Sequence, residues 1–180
     1  MLPGVYSPIP VLNELKDLYD SAGDFIADGF ELYDYDDKDR FPKELDDPEF
    51  LSRVIPFAQA NGSGSTYAIW RTGDETDLAL SPVVVFGDEG GEQVVARDFR
   101  DFLRLLGYDG EVMVDHDSAD YFREEDDDHS GSHEEFVKWL QDRGLTPAED
   151  PDAIVAAAQE VHGERFRAWI TPFYERIGWV

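Results

Sequence analysis

The sequence predicts an α+β fold, a mixed or largely antiparallel sheet of about four to six strands flanked by helices, plus a helical C-terminal region. Three observations carry that prediction. Apolar runs at residues 53–58, 66–70 and 82–86, separated by Gly, Asn, Ser and Asp, have the length and the β-branched, aromatic make-up of strands. A fourth run at 93–96 passes at once into a helical pattern of Phe99, Phe102, Leu103 and Leu106. From residue 133 onward the apolar positions again recur at helical spacing.

Between residues 10 and 26, Val11, Leu12, Leu15, Leu18, Tyr19, Ala22, Phe25 and Ile26 mark one buried helical face, ended by Asp28-Gly29. Residues 30–35 alternate weakly and form a candidate first strand. Residues 34–47, acidic and holding Pro42, are expected to be a surface loop. Asp47-Pro48 opens a short helix through Leu51, with Pro at the first helical position. In the strand at 53–58, Pro56 has no amide to donate and belongs at an edge, a bulge or a strand end. Asn61-Gly62-Ser63-Gly64 is a turn, residues 72–80 are a polar hairpin-like connection, and Asp88-Glu89-Gly90-Gly91 is a tight turn. The run at 82–86 is apolar on both faces and is expected to be central and covered on both sides. Asp98 caps the helix that follows, with Asp101 at the capping-box position, and Gly107 is expected to stop it.

Past residue 107 the pattern fades, and residues 109–132 are expected to form a long acidic loop. Ser132-His133-Glu134-Glu135 reads as a capping box for a helix carrying Phe136, Val137 and Leu140, stopped by Gly144. Asp150-Pro151 starts another helix with Ile154, Val155, Ala158 and Val161, which Gly163 is expected to interrupt. Phe166, Trp169, Ile170 and Phe173 are expected to be core, in a helix that Pro172 should kink or break. One domain is expected: a core at about 5–107, the acidic loop at 109–132 and a helical region at 133–180.

Of the 180 residues, 42% are hydrophobic and 13% aromatic, a globular composition rather than a disordered one. With no cysteine, disulfides and thiolate metal sites are excluded. No basic, apolar leader pattern opens the sequence and no apolar run is long enough to span a bilayer, so a cytoplasmic protein is expected. Charge is the extreme feature: 15 basic against 41 acidic residues give −26. Such a field repels nucleic acid and anionic membranes and attracts basic partners, although an acidic background composition produces the same numbers.

Few residues look chemical. Asp126, Asp128, Ser130, Gly131 and Glu134 fit a calcium loop at five positions, but Val137 stands where the bidentate carboxylate is needed. His129 and His133 are four apart, and His116 lies between Asp115 and Asp117. The Ser132 cap puts His129 in a loop, so the pair is not expected to share a helical face, and no Glu follows the first His as a zinc-protease helix requires. The glycines at 62–64 and 87–91 lack the spacing of a dinucleotide or phosphate loop. There is no Gly-x-Ser-x-Gly elbow, and carboxylates are too abundant for any pair to stand out as acid and base. No catalytic residue and no cofactor is expected; a metal-dependent enzyme built on His116, His129 and His133 is the outlying alternative.

The middle of the chain also carries an ordered set of motifs. Ile55-Pro56-Phe57-Ala58 is followed by Asn61-Gly62-Ser63-Gly64, Tyr67 to Trp70 and Pro82 to Phe86. Then come Gly87-Asp88-Glu89-Gly90-Gly91, Val94-Val95-Ala96 and Asp98-Phe99-Arg100-Asp101-Phe102-Leu103. This order resembles the core of the SUKH superfamily, which includes the fungal cell-wall regulators of the Smi/Knr type and many bacterial immunity proteins. The likeness spans about a third of the chain. The family's Leu-Pro pair and aromatic-x-x-Phe-Leu helix near the N-terminus have no clean copy, so the resemblance is to a divergent member. It implies structural roles for Pro56, Phe57, Gly62, Gly64, Trp70, Gly87, Glu89, Gly90, Phe99, Phe102 and Leu103. It also implies a non-enzymatic immunity protein that occludes a toxin, or alternatively a regulatory or scaffold module. With the charge, the expected partner is a basic toxin domain, and the expected contact residues are Asp34, Asp36, Asp37, Asp39, Glu124, Glu125, Asp126, Asp127 and Asp128.

Overall fold

The computed structural model describes residues 4–180. Helix α1 (Pro10–Ser21) has Pro at its first turn, where no amide donor is required, and buries Leu12 and Leu15. It stops short of the expected residue 26: the chain leaves the helix at Ala22, Phe25 is exposed, and Ile26 reaches the core from irregular backbone. The first strand, β1 (Glu31–Leu32), is also shorter than expected. Beyond it the Tyr33 and Asp36 amides still bond the Phe57 and Pro56 carbonyls, without regular pairing. Residues 34–47 are not simply a surface loop, because Phe41 and Leu45 are buried there.

Helix α2 (Pro48–Arg53) is capped by Asp47, which accepts from the Glu49 and Phe50 amides, and runs straight into β2 (Val54–Gln59). Strands β3 (Thr66–Trp70), β4 (Val83–Phe86) and β5 (Glu92–Ala96) complete an antiparallel sheet in the order β1-β2-β3-β4-β5. Pro56 lies at a register shift between Pro56 and Ala58, the bulge that its missing amide asks for. The sheet is apolar on both faces. Ile55, Phe57, Tyr67, Ile69, Val83, Val85 and Val95 belong to one core, and Val54, Ala68, Trp70, Val84 and Val94 to a second.

Helix α3 (Phe99–Gly107) packs Phe99 and Phe102 on Phe57, with ring centroids 5.4 Å apart in each pair. Asp98 caps it by accepting from the Asp101 amide at 2.8 Å. The Asp101 carboxylate turns outward to Arg97 at 2.6 Å, so the reciprocal half of a capping box is missing. The helix ends at Gly107, but as its last helical residue rather than as a left-handed glycine just past the end. A Cβ there would meet Leu140 Cδ1 at 2.9 Å and the Pro147 Cα at 3.1 Å, so this glycine serves close packing; the left-handed residue that turns the chain away is Asp109, with φ 60°.

The stretch 109–132 is not one long loop. It holds an antiparallel hairpin, β6 (Glu111–Val114) and β7 (Ala119–Phe122). The hairpin is fastened to the main sheet by side chains: Asn61 donates to the Val112 carbonyl at 2.9 Å, and the Tyr67 and Tyr121 hydroxyls meet at 2.5 Å. Helix α4 (His133–Gln141) follows, but the Ser132 hydroxyl does not cap it and instead accepts from the Asp24 amide.

Helix α5 (Pro151–Ala158), capped by Asp150, continues through a π-turn (Gln159–Gly163) into α6 (Glu164–Arg176), one helix of 26 residues. Gly163 therefore does not interrupt it, and Pro172 does not break it. Pro172 and Ala168 are both on the exposed side, so the Ala168 carbonyl that loses its helical donor faces water. Ile154 and Val155 join the first core, Phe166, Ile170 and Phe173 the second. The helix thus crosses the β5 edge from one face of the sheet to the other, and Gln159, at the crossing, donates to the Val94 carbonyl at 2.7 Å. Among the described residues no helix is long and apolar enough to cross a membrane.

Candidate functional site

The two acidic segments differ in kind. Asp34, Asp36, Asp37 and Asp39 follow β1 along the outer edge of β2, where the Lys38 ammonium donates to the Val54 carbonyl at 2.8 Å. Asp36 pairs with Lys38, and Asp37 with Arg40 at 3.1 Å, so half of this charge is already answered. Glu124, Glu125, Asp126, Asp127 and Asp128 follow β7, and all five are exposed. Among the described residues none of their carboxylates pairs with a cation. The neighbouring Arg123 is turned to the Asp109, Asp127 and Asp128 carbonyls and to the Asp109 carboxylate at 3.7 Å.

Asp109, unmarked by the sequence pattern, is the hub beneath that segment. It is buried in left-handed backbone, which a short polar side chain tolerates. Its Oδ1 accepts from the Asp28 amide at 2.8 Å and the Ser130 hydroxyl at 2.7 Å. Its Oδ2 accepts from the Ser130 amide at 2.7 Å and lies 3.0 Å from His129 Nδ1. The His129 and His133 rings, not expected to meet, stack with centroids 4.0 Å apart and planes 8° from parallel. They meet because a turn, with the His133 amide on the Ser130 carbonyl at 2.9 Å, folds the loop back over the start of α4. His133 is buried, its Nδ1 has no hydrogen-bond partner and stands 3.7 Å from Asp109, and burial lowers its pKa against the pull of that carboxylate.

Asp109, His129 and His133 bring one ligand atom each within 4.8 Å of the others. Imidazole lone pairs lie in the ring planes, and nitrogen must approach zinc to about 2.0–2.1 Å along that direction. Two parallel rings 4.0 Å apart do not converge on one ion. Both Asp109 oxygens are also already occupied by donors. As arranged, the cluster ties residue 109, the Asp28 backbone, the turn at 129–130 and α4 together. His116 takes no part in it and lies over Gly90, at the turn between β4 and β5.

The residues singled out by the motif order fall partly in the two cores and partly in turns. Phe57, Phe99, Phe102 and Leu103 are in the first core and Trp70 in the second. Gly62, Gly64, Gly87, Glu89 and Gly90 lie in the two turns at one end of the sheet, bridged by Asp88, which accepts from the Ser63 and Ser65 hydroxyls at 2.8 and 2.9 Å. Those bonds lower the pKa of Asp88, a turn lock rather than a phosphate site.

The sequence pattern did not single out the outer face of the hairpin. Glu111 is opposite Phe122 and Met113 opposite Asp120, so all four side chains share one face. Met113 is 63% and Phe122 55% exposed. The signal that could have found them is the pair of alternating tetrapeptides, Glu111 to Val114 and Ala119 to Phe122, whose inward residues are Val112, Val114, Ala119 and Tyr121. Comparison of the chain with known protein families, with curated proteins and with solved structures finds no match.

Proposed function

We propose that the protein is a non-enzymatic binding protein that neutralises a basic protein, most concretely a nuclease toxin, by sitting on it and blocking its working surface. The observation that supports this best is the hairpin face, two exposed apolar side chains set diagonally between two carboxylates. Methionine and aromatic residues are the usual anchors of an interface, and an acidic rim selects a basic partner and speeds its approach. The run from Glu124 to Asp128, free of cation partners among the described residues, continues that rim. The SUKH-like order of motifs supports the same role, one of contact rather than turnover. The Asp34 to Asp39 segment, with two of its four charges paired, is the weaker half of the surface.

The test is binding of a basic toxin domain encoded by a neighbouring gene, followed by titration calorimetry at increasing salt. A one-to-one complex is expected, with affinity falling as salt rises. Met113→Ser with Phe122→Ser should weaken it about tenfold or more, at unchanged Tm, because both side chains are exposed. Binding indifferent to both salt and the double substitution would remove the proposal and leave the regulatory, Smi/Knr-type alternative with a non-basic partner.

A further inference from the structure

A concavity opens on the face of the sheet covered by α6. Its floor is one cross-strand row, Thr66 opposite Phe86 and Phe86 opposite Glu92. One wall is Phe41, edge-on to Phe86 at 5.1 Å. The other is Tyr174, near the end of α6, and Trp179 beyond it, with ring centroids 5.4 Å apart. The β4–β5 turn and His116 form part of the rim. The cavity measures about 460 Å³, within the range of small-ligand sites.

Glu92 is the polar feature of the floor. Its Oε2 accepts from the Tyr174 hydroxyl at 2.9 Å, and among the described residues no donor reaches Oε1. Burial raises its pKa even with that hydrogen bond in place. Packing does not call for a carboxylate here, since glutamine would accept the same bond without a charge to desolvate. The one arginine at the mouth, Arg40, is already engaged, stacked over Tyr33 at 3.9 Å and bonded to Asp37. What the cavity offers a guest is the half-buried Glu92 carboxylate between aromatic walls, with Asp88 and His116 also in the lining.

We propose that this cavity binds a small organic monocation, an ammonium group carried on an aromatic or compact alkyl body. The ammonium bonds the free Glu92 oxygen, a charge-assisted contact in a partly dry site, and the body fills the space between Phe41 and Phe86 on one side and Tyr174 and Trp179 on the other. None of Met113, Phe122 or the carboxylates from Glu124 to Asp128 lines the cavity, so this binding stands or falls apart from that of a protein partner.

The experiment is a two-dimensional amide NMR titration of the full chain with 2-phenylethylammonium chloride, with 2-phenylethanol and 3-phenylpropanoate as neutral and anionic controls. Saturable shifts are expected at Gly91, Glu92 and the Trp179 indole, with the controls at least about tenfold weaker. Glu92→Gln keeps an acceptor for Tyr174 and should stay folded, lose about tenfold or more in ammonium affinity, and bind the ammonium no better than the alcohol. Trp179→Ala, at an exposed position, should weaken binding with no loss in Tm. The proposal is overturned if the alcohol or the anion binds as tightly as the ammonium, if Glu92→Gln binds like the parent, or if no shift saturates by about 20 mM, near the weakest affinity expected of so small a ligand.

Discussion

His133 shows what one side chain's surroundings do to stability. Its ring is buried beneath His129, and the largest effect on it is desolvation, which disfavours the charged form. The folded pKa therefore lies below the ordinary 6.5 that the unfolded chain keeps. As pH falls through 6.5 the unfolded state takes up the proton first, so stability present at higher pH is lost on acidification. Chemical denaturation at pH 7.5 and 5.5 should show this drop, and His133→Gln should shrink it; an unchanged difference would place the sensitivity on the carboxylates instead. The two histidines were visible as a spaced pair in the sequence. Their partner was not, because Asp109 precedes His129 by twenty residues and gains its importance from φ 60° and from the amides of Asp28 and Ser130.

At the scale of elements, the strands, the Pro56 bulge and the caps at Asp47, Asp98 and Asp150 followed from composition and local chemistry, because each depends on neighbours within a few residues. The hairpin of β6 and β7 did not, since it is held by Asn61 and Tyr67, some fifty residues away in the chain. The helix through Gly163 is a second case. A Cβ on Gly163 would meet Gln159 Oε1 at 2.3 Å, and that amide is tied to the Val94 carbonyl. The glycine thus makes room for the side chain that caps the β5 edge, and the π-turn is the local widening that admits it. Gly163→Ala should destabilise the parent by about 1 kcal/mol, yet stabilise a Gln159→Ala background by up to about 1 kcal/mol through helix propensity. Urea denaturation of the four proteins in that cycle checks the change of sign; equal effects in both backgrounds would mean the contact does not constrain the turn.

Across the whole molecule, 41 acidic residues against 15 basic ones make self-repulsion a standing load on the fold. Screening should relieve it. Raising NaCl from about 10 to about 500 mM is expected to increase Tm by roughly 2–8 °C, the equivalent of about 1–2 kcal/mol for a chain of this size. Calorimetry in NaCl and in an uncharged osmolyte separates screening from general exclusion effects, and a flat salt response would show that the charge is spread too thinly to matter. The α+β class and the two-sided sheet were legible in the sequence because Val83 to Phe86 is apolar at every position. The assignment of each helix to a face was not, since it is set by where the last helix crosses β5.

That crossing also orders events in time. Trp70, Val84 and Val94 leave the ribosome long before Phe166, Ile170 and Phe173, which will cover them. At about 5–20 residues per second the gap from Ala96, the end of β5, to Phe173 lasts roughly 4–15 s, during which one side of a finished sheet stays wet and sticky. Newly made chains should therefore depend on chaperone shelter until synthesis has passed Phe173, and crowding of polysomes should be felt first on that side.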